Sequence, residues 1–194
     1  KSRIKSASLL MQNSIDIISQ FSPELILYAG DREDVIVGAM IGGYLEIPTA
    51  HFYSGDHVQD GFIDNPVRHA TAKLSTVQVA STDEHKKRLL RIGEPIERIF
   101  LSGSIALDNF VNHNPISKKE IFKQFGLKSN SMSFSLVIFH PISIEREHVD
   151  LYFRNILEVL KNRGINAFIS YPNVDPGNQK IIDLISEYKS ENGF

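Results

Sequence analysis

The sequence predicts an α/β protein built on parallel sheets, and three observations carry that prediction. Short β-branched or aromatic runs alternate with amphipathic stretches, the pattern of consecutive βαβ units. Polar residues and glycines gather just after the strand runs, where open parallel sheets place their ligands. The composition is that of an ordinary globular chain: 194 residues, 42% apolar and 23% charged, with no low-complexity tract. Such a length holds one large domain or two small ones.

Taken in order, the chain opens with a helical stretch over Ser8–Phe21, followed by a strand run at Leu25–Ala29. The next helix, Glu33–Leu45, carries Gly38 and Gly42, a spacing that reads here as tight packing of helix on sheet. Then come a strand at Pro48–Tyr53, a helix at Pro66–Leu74 and a strand at Val77–Ala80. The helix Asp83–Ile92 is opened by Thr82 and closed by Gly93, and a strand follows at Arg98–Leu101. The stretch Ile105–Ser117, with Asn109, Asn112, His113, Asn114 and Pro115, breaks this rhythm and reads as a connection. Beyond it, Ser117 and Glu120 form a capping box for Lys118–Phe125, which Gly126 closes. The remaining elements are a strand at Leu136–Phe139, a helix at Arg146–Asn162, a strand at Asn166–Ser170 and a helix at Asn178–Tyr188. Two domains are expected, 1–111 and 115–194, the second incomplete. No internal repeat is visible, which argues against a solenoid.

Charge and cysteine usage exclude several classes. Lys and Arg total 21 against 23 for Asp and Glu, a net charge of -2 without any block of like sign, so no nucleic-acid or membrane-surface partner is implied. With no cysteine, disulfides, thiolate metal ligands and a cysteine nucleophile are excluded, and a reducing cytoplasm is the expected location. The longest apolar stretch, Val35 to Leu45, is interrupted by three glycines and is shorter than the roughly 18 residues of a membrane span. The chain opens on Lys1 and lacks the apolar run of a signal peptide, so a processed or partial chain is expected.

Candidate chemistry lies after the strands: Gly30-Asp31-Arg32, Ser54-Gly55-Asp56, Ser102-Gly103-Ser104 and His140-Pro141. Gly30-Asp31-Arg32 offers a turn, a carboxylate and a guanidinium able to hold a phosphate or carboxylate in two-pronged fashion. Taken alone, it reads first as a strand-end turn in which Asp31 caps the next helix. The segment His51 to His69 is the densest in polar groups, but it has no histidine pair at metal-binding spacing and no thiolate, so no metal or other cofactor is expected. His57 and Asp60 read as solvated loop residues. Asp64, Arg68 and His69 can share one helix face, with Asp64 pairing to Arg68 one turn on. Ser102-Gly103-Ser104 lacks a phosphate-loop pattern, and no Gly-x-Ser-x-Gly elbow is present. His140 emerges at a strand tip, where a buried or capping histidine is the default reading.

Taken together, Gly30-Asp31-Arg32, Pro48-x-Ala50-His51, Gly61-Phe62-Ile63-Asp64, Arg68-His69-Ala70, Lys73-Leu74-Ser75 and Leu107-Asp108-Asn109 form an ordered series. It resembles that of the UDP-N-acetylglucosamine 2-epimerases. The run Ile63 to Ser75, with Val137 to Pro141 and Tyr171-Pro172-Asn173-x-Asp175-x-Gly177, is similar to the hydrolysing branch that feeds sialic-acid-type sugar synthesis. The resemblance implies a GT-B fold of two Rossmann-like domains and a UDP-sugar substrate. It also implies a homo-oligomer, dimer or tetramer, in the full-length protein. The implied reaction eliminates UDP to a glycal and rehydrates it to a ManNAc-type sugar. By motif match, Asp31, Asp56 and Asp64 are the candidate catalytic residues, and Arg32, His51, Arg68, His69 and His140 are candidates for substrate binding.

Two departures from the family pattern stand out. Where the family shows His-x-Glu-Gly-Gly-Glu or His-x-His-Gly-Gly-Glu, this chain has His51-Phe52-Tyr53-Ser54-Gly55-Asp56, with Tyr53 at one acidic position and the shorter Asp56 at the other. The family's opening phosphate loop and closing nucleotide loop are also missing, so the chain is expected to be part of a longer enzyme and inactive by itself. A GT-B glycosyltransferase and a non-catalytic nucleotide-sugar binder remain open as alternatives.

Overall fold

A computed structural model describes residues 2–59, 63–126 and 134–192. The chain divides into two compact units, Lys1–His113 and Asn114–Phe194.

In the first unit the described elements are α1 (Ser2–Phe21), β1 (Ile26–Ala29), α2 (Glu33–Tyr44), β2 (Thr49–Phe52), α3 (Asp64–Leu74), β3 (Val77–Ala80), α4 (Asp83–Arg91), β4 (Ile99–Leu101) and the single turn α5 (Asp108–Val111). The four strands form one parallel sheet in the order β1-β2-β3-β4, with Tyr28 opposite His51, His51 opposite Gln78 and Gln78 opposite Ile99. Because every strand runs the same way and neighbours are consecutive in sequence, all carboxyl ends lie along one edge of the sheet. The loops that follow them are therefore brought side by side.

Helix α2 is buried along Val35, Val37, Ala39 and Ile41. Its glycine spacing is what lets it lie down on the sheet: a Cβ at Gly42 would sit 2.3 Å from Cγ2 of Thr49, and one at Gly38 would sit 3.2 Å from the Tyr28 ring. Further along the sheet, Ala72, Ala80, Leu89 and Ile99 make the core under α4. One polar side chain that crosses this interior is fully bonded. The buried Gln78 donates through Nε2 to the Ala72 carbonyl at 2.7 Å and accepts from Ser54 Oγ at 2.6 Å. That pair ties the loop after β2 to β3 and to the end of α3.

The second unit contains α6 (Lys118–Gln124), β5 (Phe134–Val137), α7 (Val149–Asn162), β6 (Asn166–Ile169) and α8 (Asn178–Asn192). Strands β5 and β6 pair in parallel, Phe134 opposite Asn166. Its core is Val149, Phe153 and Leu157 of α7 against Ile181, Leu184 and Tyr188 of α8, with Phe139 stacked on Phe153 at 5.3 Å between ring centres.

Most boundaries move by a residue or two from the periodicity reading, three move further, and these shifts, with that of β5, have identifiable reasons. Helix α1 begins at Ser2 rather than Ser8, since Ile4 and Leu9, 79% and 58% exposed, supply no buried stripe for a pattern to register. Strand β5 starts two residues earlier than the apolar run 136–139, because register with β6 and not apolarity sets the ladder. Helix α7 starts at Val149, after a tight turn over Ser143–Glu145. Helix α8 runs on to Asn192. The caps expected at α4 and α6 are present: Thr82 accepts from the His85 N–H, and Ser117 and Glu120 make the reciprocal pair of a capping box.

Candidate active site

The loop after β1 places Asp31 directly at the sheet's carboxyl edge. Asp31 does not cap α2: the residue at the cap is Arg32, half-buried beside Glu33, and it makes no side-chain cap. Asp31 is instead bonded by Nη2 of Arg68 through its Oδ2. The Arg68 side chain is only 5% exposed, and its second terminal nitrogen, Nη1, lies 3.8 Å from Oδ2 of Asp56. One buried guanidinium therefore stands between two carboxylates delivered by two different strand ends, hydrogen-bonded to Asp31 and within ion-pair range of Asp56.

Asp56 follows Gly55, which has a φ of +77° and closes against α4. A Cβ at Gly55 would lie 2.4 Å from the His85 carbonyl oxygen and 2.7 Å from Leu89 Cγ. Gly55→Ala is therefore expected to destabilise the fold by about 2–4 kcal/mol, read as a lower midpoint in urea unfolding. The Gly55 carbonyl in turn accepts from Arg88. Oδ1 of Asp56 takes the His57 N–H at 2.7 Å and lies 3.1 Å from Nε2 of His85.

Asp64 opens α3, one turn before Arg68. The helix-face pairing expected for it is replaced by longer-range contacts: Arg68 turns to Asp31, while Nη2 of Arg3 on α1 approaches Asp64 Oδ1 at 3.9 Å. Arg3 also bonds Glu33 at 3.1 Å. Backbone hydrogen bonding at the start of α2, aided by Arg3, holds the Glu33 carboxyl below its usual range.

His51 is fully buried on β2, and its Nε2 donates to the Gly30 carbonyl at 2.8 Å, bracing the turn that carries Asp31. Burial pushes its pKa down to about 4, against about 6.5 in an unfolded chain. The fold thus favours the neutral ring. This contribution is complete above the unfolded value and is lost as pH falls from there toward 4. Between pH 7 and pH 5 His51 is expected to account for about 2 kcal/mol of lost stability, seen as a falling urea midpoint whose slope with pH is shallower in His51→Gln.

The half-buried His69 stacks on His57, ring centres 5.8 Å apart and planes 14° from parallel. Burial and the nearby His57, Arg68 and Arg88 depress its pKa. Asp60, Gly61 and Phe62 lie outside the described residues. No group of three His, Cys, Asp or Glu side chains among the described residues is arranged to hold a metal ion. No helix among them is long and apolar enough to cross a membrane.

In the second unit, the exposed His140 accepts the Asn173 N–H at its Nδ1, 3.1 Å away. The ring proton therefore resides on Nε2, which is left as a donor. Asn173 is itself fixed by Asp175, whose N–H donates to Asn173 Oδ1 at 3.2 Å and whose Oδ2 accepts from Nδ2 at 2.6 Å.

Arg3, Arg88 and His85 are the members of this site that the sequence did not reveal. Arg3 lies in a helical turn that periodicity missed, and His85 reads as one more polar residue of an amphipathic helix.

A family profile described as UDP-N-acetylglucosamine 2-epimerase matches residues 1–193. The chain belongs to the UDP-N-acetylglucosamine 2-epimerase family. It is 29% identical over 174 residues to the UDP-N,N'-diacetylbacillosamine 2-epimerase (hydrolyzing) of Legionella pneumophila, a match covering 89% of this chain and 45% of that protein. It is 27% identical over 186 residues to the UDP-N-acetylglucosamine 2-epimerase of Neisseria meningitidis serogroup B, covering 94% and 48%. The chain spans about half the length of the curated relatives it matches. Among solved structures, the Neisseria meningitidis UDP-GlcNAc 2-epimerase bound to UDP-GlcNAc superposes with a TM-score of 0.78 at 21% identity, over 96% of this chain and 53% of that one. The Methanocaldococcus jannaschii enzyme in complex with UDP-GlcNAc and UDP gives 0.74 at 18%, over 96% and 52%. The fold is accordingly the GT-B type of this 2-epimerase family, α/β with a parallel sheet flanked by helices.

Proposed function

We propose that this chain is part of a longer hydrolysing 2-epimerase that acts on UDP-N-acetylglucosamine or a diacetamido relative. The observation that carries the reading is the Asp31–Arg68–Asp56 cluster at the carboxyl edge of the first sheet. The hydrolysing relatives agree with it. In the first step a carboxylate takes the proton on sugar C2 while the C1–O bond to UDP breaks, leaving a C1=C2 double bond. Water then supplies hydroxyl to C1, and a proton returns to C2 on the opposite face, giving the 2-epimeric free sugar. A weakly acidic C–H needs a base within hydrogen-bond reach, and a departing diphosphate needs its developing charge met.

Asp31, Asp56 and Asp64 are the acid and base groups in this scheme. Arg68 holds Asp31 in orientation through their ion pair, and Arg32 orients the substrate. His51, sealed beneath the Gly30 turn, acts by holding Asp31 in place, and His69 borders Arg68 on α3. His140, exposed and with Nδ1 taken by the Asn173 N–H, has Nε2–H to donate to a diphosphate oxygen. The chain's domains are taken as 1–111 and 115–194, and the whole enzyme as a cytoplasmic homo-oligomer without a cofactor.

The test is UDP release by the full-length protein that contains these residues, incubated with UDP-N-acetylglucosamine or its diacetamido relative and no acceptor. Release without an acceptor supports the reading, whereas release only when an acceptor sugar is added would point to a glycosyltransferase. Binding without release would favour a nucleotide-sugar binder, a second reading motivated by Tyr53. That residue stands at a φ of +59° where the family pattern carries an acid.

A further inference from the structure

We propose that His85 is a positioning residue for this reaction, fixing Asp56 so that its Oδ2 and not its Oδ1 is the oxygen presented to substrate. The inference rests on the 2-epimerase reading above.

Three observations carry it. First, the two oxygens of Asp56 have different surroundings. Oδ1 receives the His57 N–H at 2.7 Å and lies 3.1 Å from His85 Nε2, while Oδ2 stands 3.8 Å from Arg68 Nη1, beyond hydrogen-bond length. A carboxylate gripped on one oxygen cannot rotate freely, so the oxygen left for proton transfer is the one on the Arg68 and Asp31 side.

Second, the histidine is set up for that grip. Its side chain is only 17% exposed, its Nδ1 is buried and makes no hydrogen bond among the described residues, and Nε2 faces the carboxylate. The tautomer with the proton on Nε2 is the one that donates to Asp56 and leaves no buried N–H without an acceptor.

Third, the backbone on both sides is built to hold the two together. Thr82 accepts from the His85 N–H and starts α4 there, while Gly55 lets the loop before Asp56 close onto the same turn of α4. Arg88, one turn beyond His85, bonds the Gly55 carbonyl and locks the approach. Asp56 is shorter by one methylene than the glutamate of the family pattern, and an aspartate has less reach to find its own geometry. A side chain that holds it has correspondingly more to contribute. Around the pair stand Arg68 and His69 from α3, His57 from the loop, and Glu84 and Arg88 from α4 itself. Of these, His57 also reaches Oδ1, through its backbone N–H, so that the ring of His85 is the side-chain donor there.

The test is a double-mutant cycle read by steady-state kinetics of the full-length protein. His85→Leu is expected to lower kcat about 10- to 100-fold, with KM changed less than about two-fold. His85→Gln, which can still offer an N–H to the carboxylate, is expected to recover most of that loss. In an Asp56→Ala background His85→Leu should cost nothing further, since it acts through Asp56. Equal losses for Leu and Gln, an unchanged kcat, or full additivity with Asp56→Ala would each overturn the proposal. If the unmutated protein releases no UDP, the 2-epimerase reading itself has failed, and the positioning role falls with it.

Discussion

Replacing Asp31 by asparagine is expected to lower the rate of UDP release by roughly 10²–10⁴-fold while leaving the protein folded. Asparagine keeps the shape of the side chain and an oxygen that can accept from Arg68, but it cannot take up or give back a proton. The change therefore separates chemistry from architecture. The Asp31 carboxylate sits at the end of an inner turn braced by His51, and the backbone at Gly30 accepts from His51 whichever residue follows. Circular dichroism and the urea midpoint should stay close to those of the unmutated protein, with at most a modest loss from weakening the Arg68 ion pair. Asp64→Asn is expected to abolish turnover in the same way. Full activity in both variants would show that the acid and base groups lie elsewhere.

Replacing Arg68 by methionine should damage both fold and turnover. The guanidinium is 5% exposed and is bonded to Asp31, with Asp56 close by; the two carboxylates are 22% and 35% exposed. Removing it leaves two anions facing each other across a space that methionine fills but does not neutralise. Breaking a buried ion pair costs about 3–5 kcal/mol. Both acids are open enough to water to recover part of that, so about 2–3 kcal/mol is expected here, read from urea unfolding. Arg68→Lys should restore part of the stability but little of the turnover. An ammonium supplies the charge but not the planar fork that reaches towards Asp31 and Asp56 together. A methionine variant as stable as the parent would mean that the carboxylates do not depend on Arg68.

Much of this architecture was legible because local and global signals agree. The Thr82 cap and the Ser117–Glu120 box fall where the sequence places them, and the glycines of α2 meet Thr49 and Tyr28 as close packing requires. The prominence of Asp31 followed from one topological rule, that ligands meet parallel sheets at their carboxyl ends. What could not be read were the contacts between residues distant in sequence. Periodicity offers Arg68 the neighbour one helical turn back, Asp64, but the fold brings it Asp31 from 37 residues earlier. His85 gives no sign in an amphipathic helix that its ring will meet Asp56, because that contact depends on a glycine loop closing from another strand. The displacement of β5 has the same origin: strand register is a property of the pair, not of either run alone.

In the proposed reaction, carboxylates at the end of the first sheet move a proton at sugar C2 as UDP departs. The most direct measurement is the isotope content of the product formed by the full-length protein in D₂O from unlabelled UDP-N-acetylglucosamine or its diacetamido relative. The expected product is a free 2-epimeric sugar carrying one deuterium at C2, formed in step with UDP. A released sugar that keeps its original hydrogen at C2 would contradict the proposed reaction.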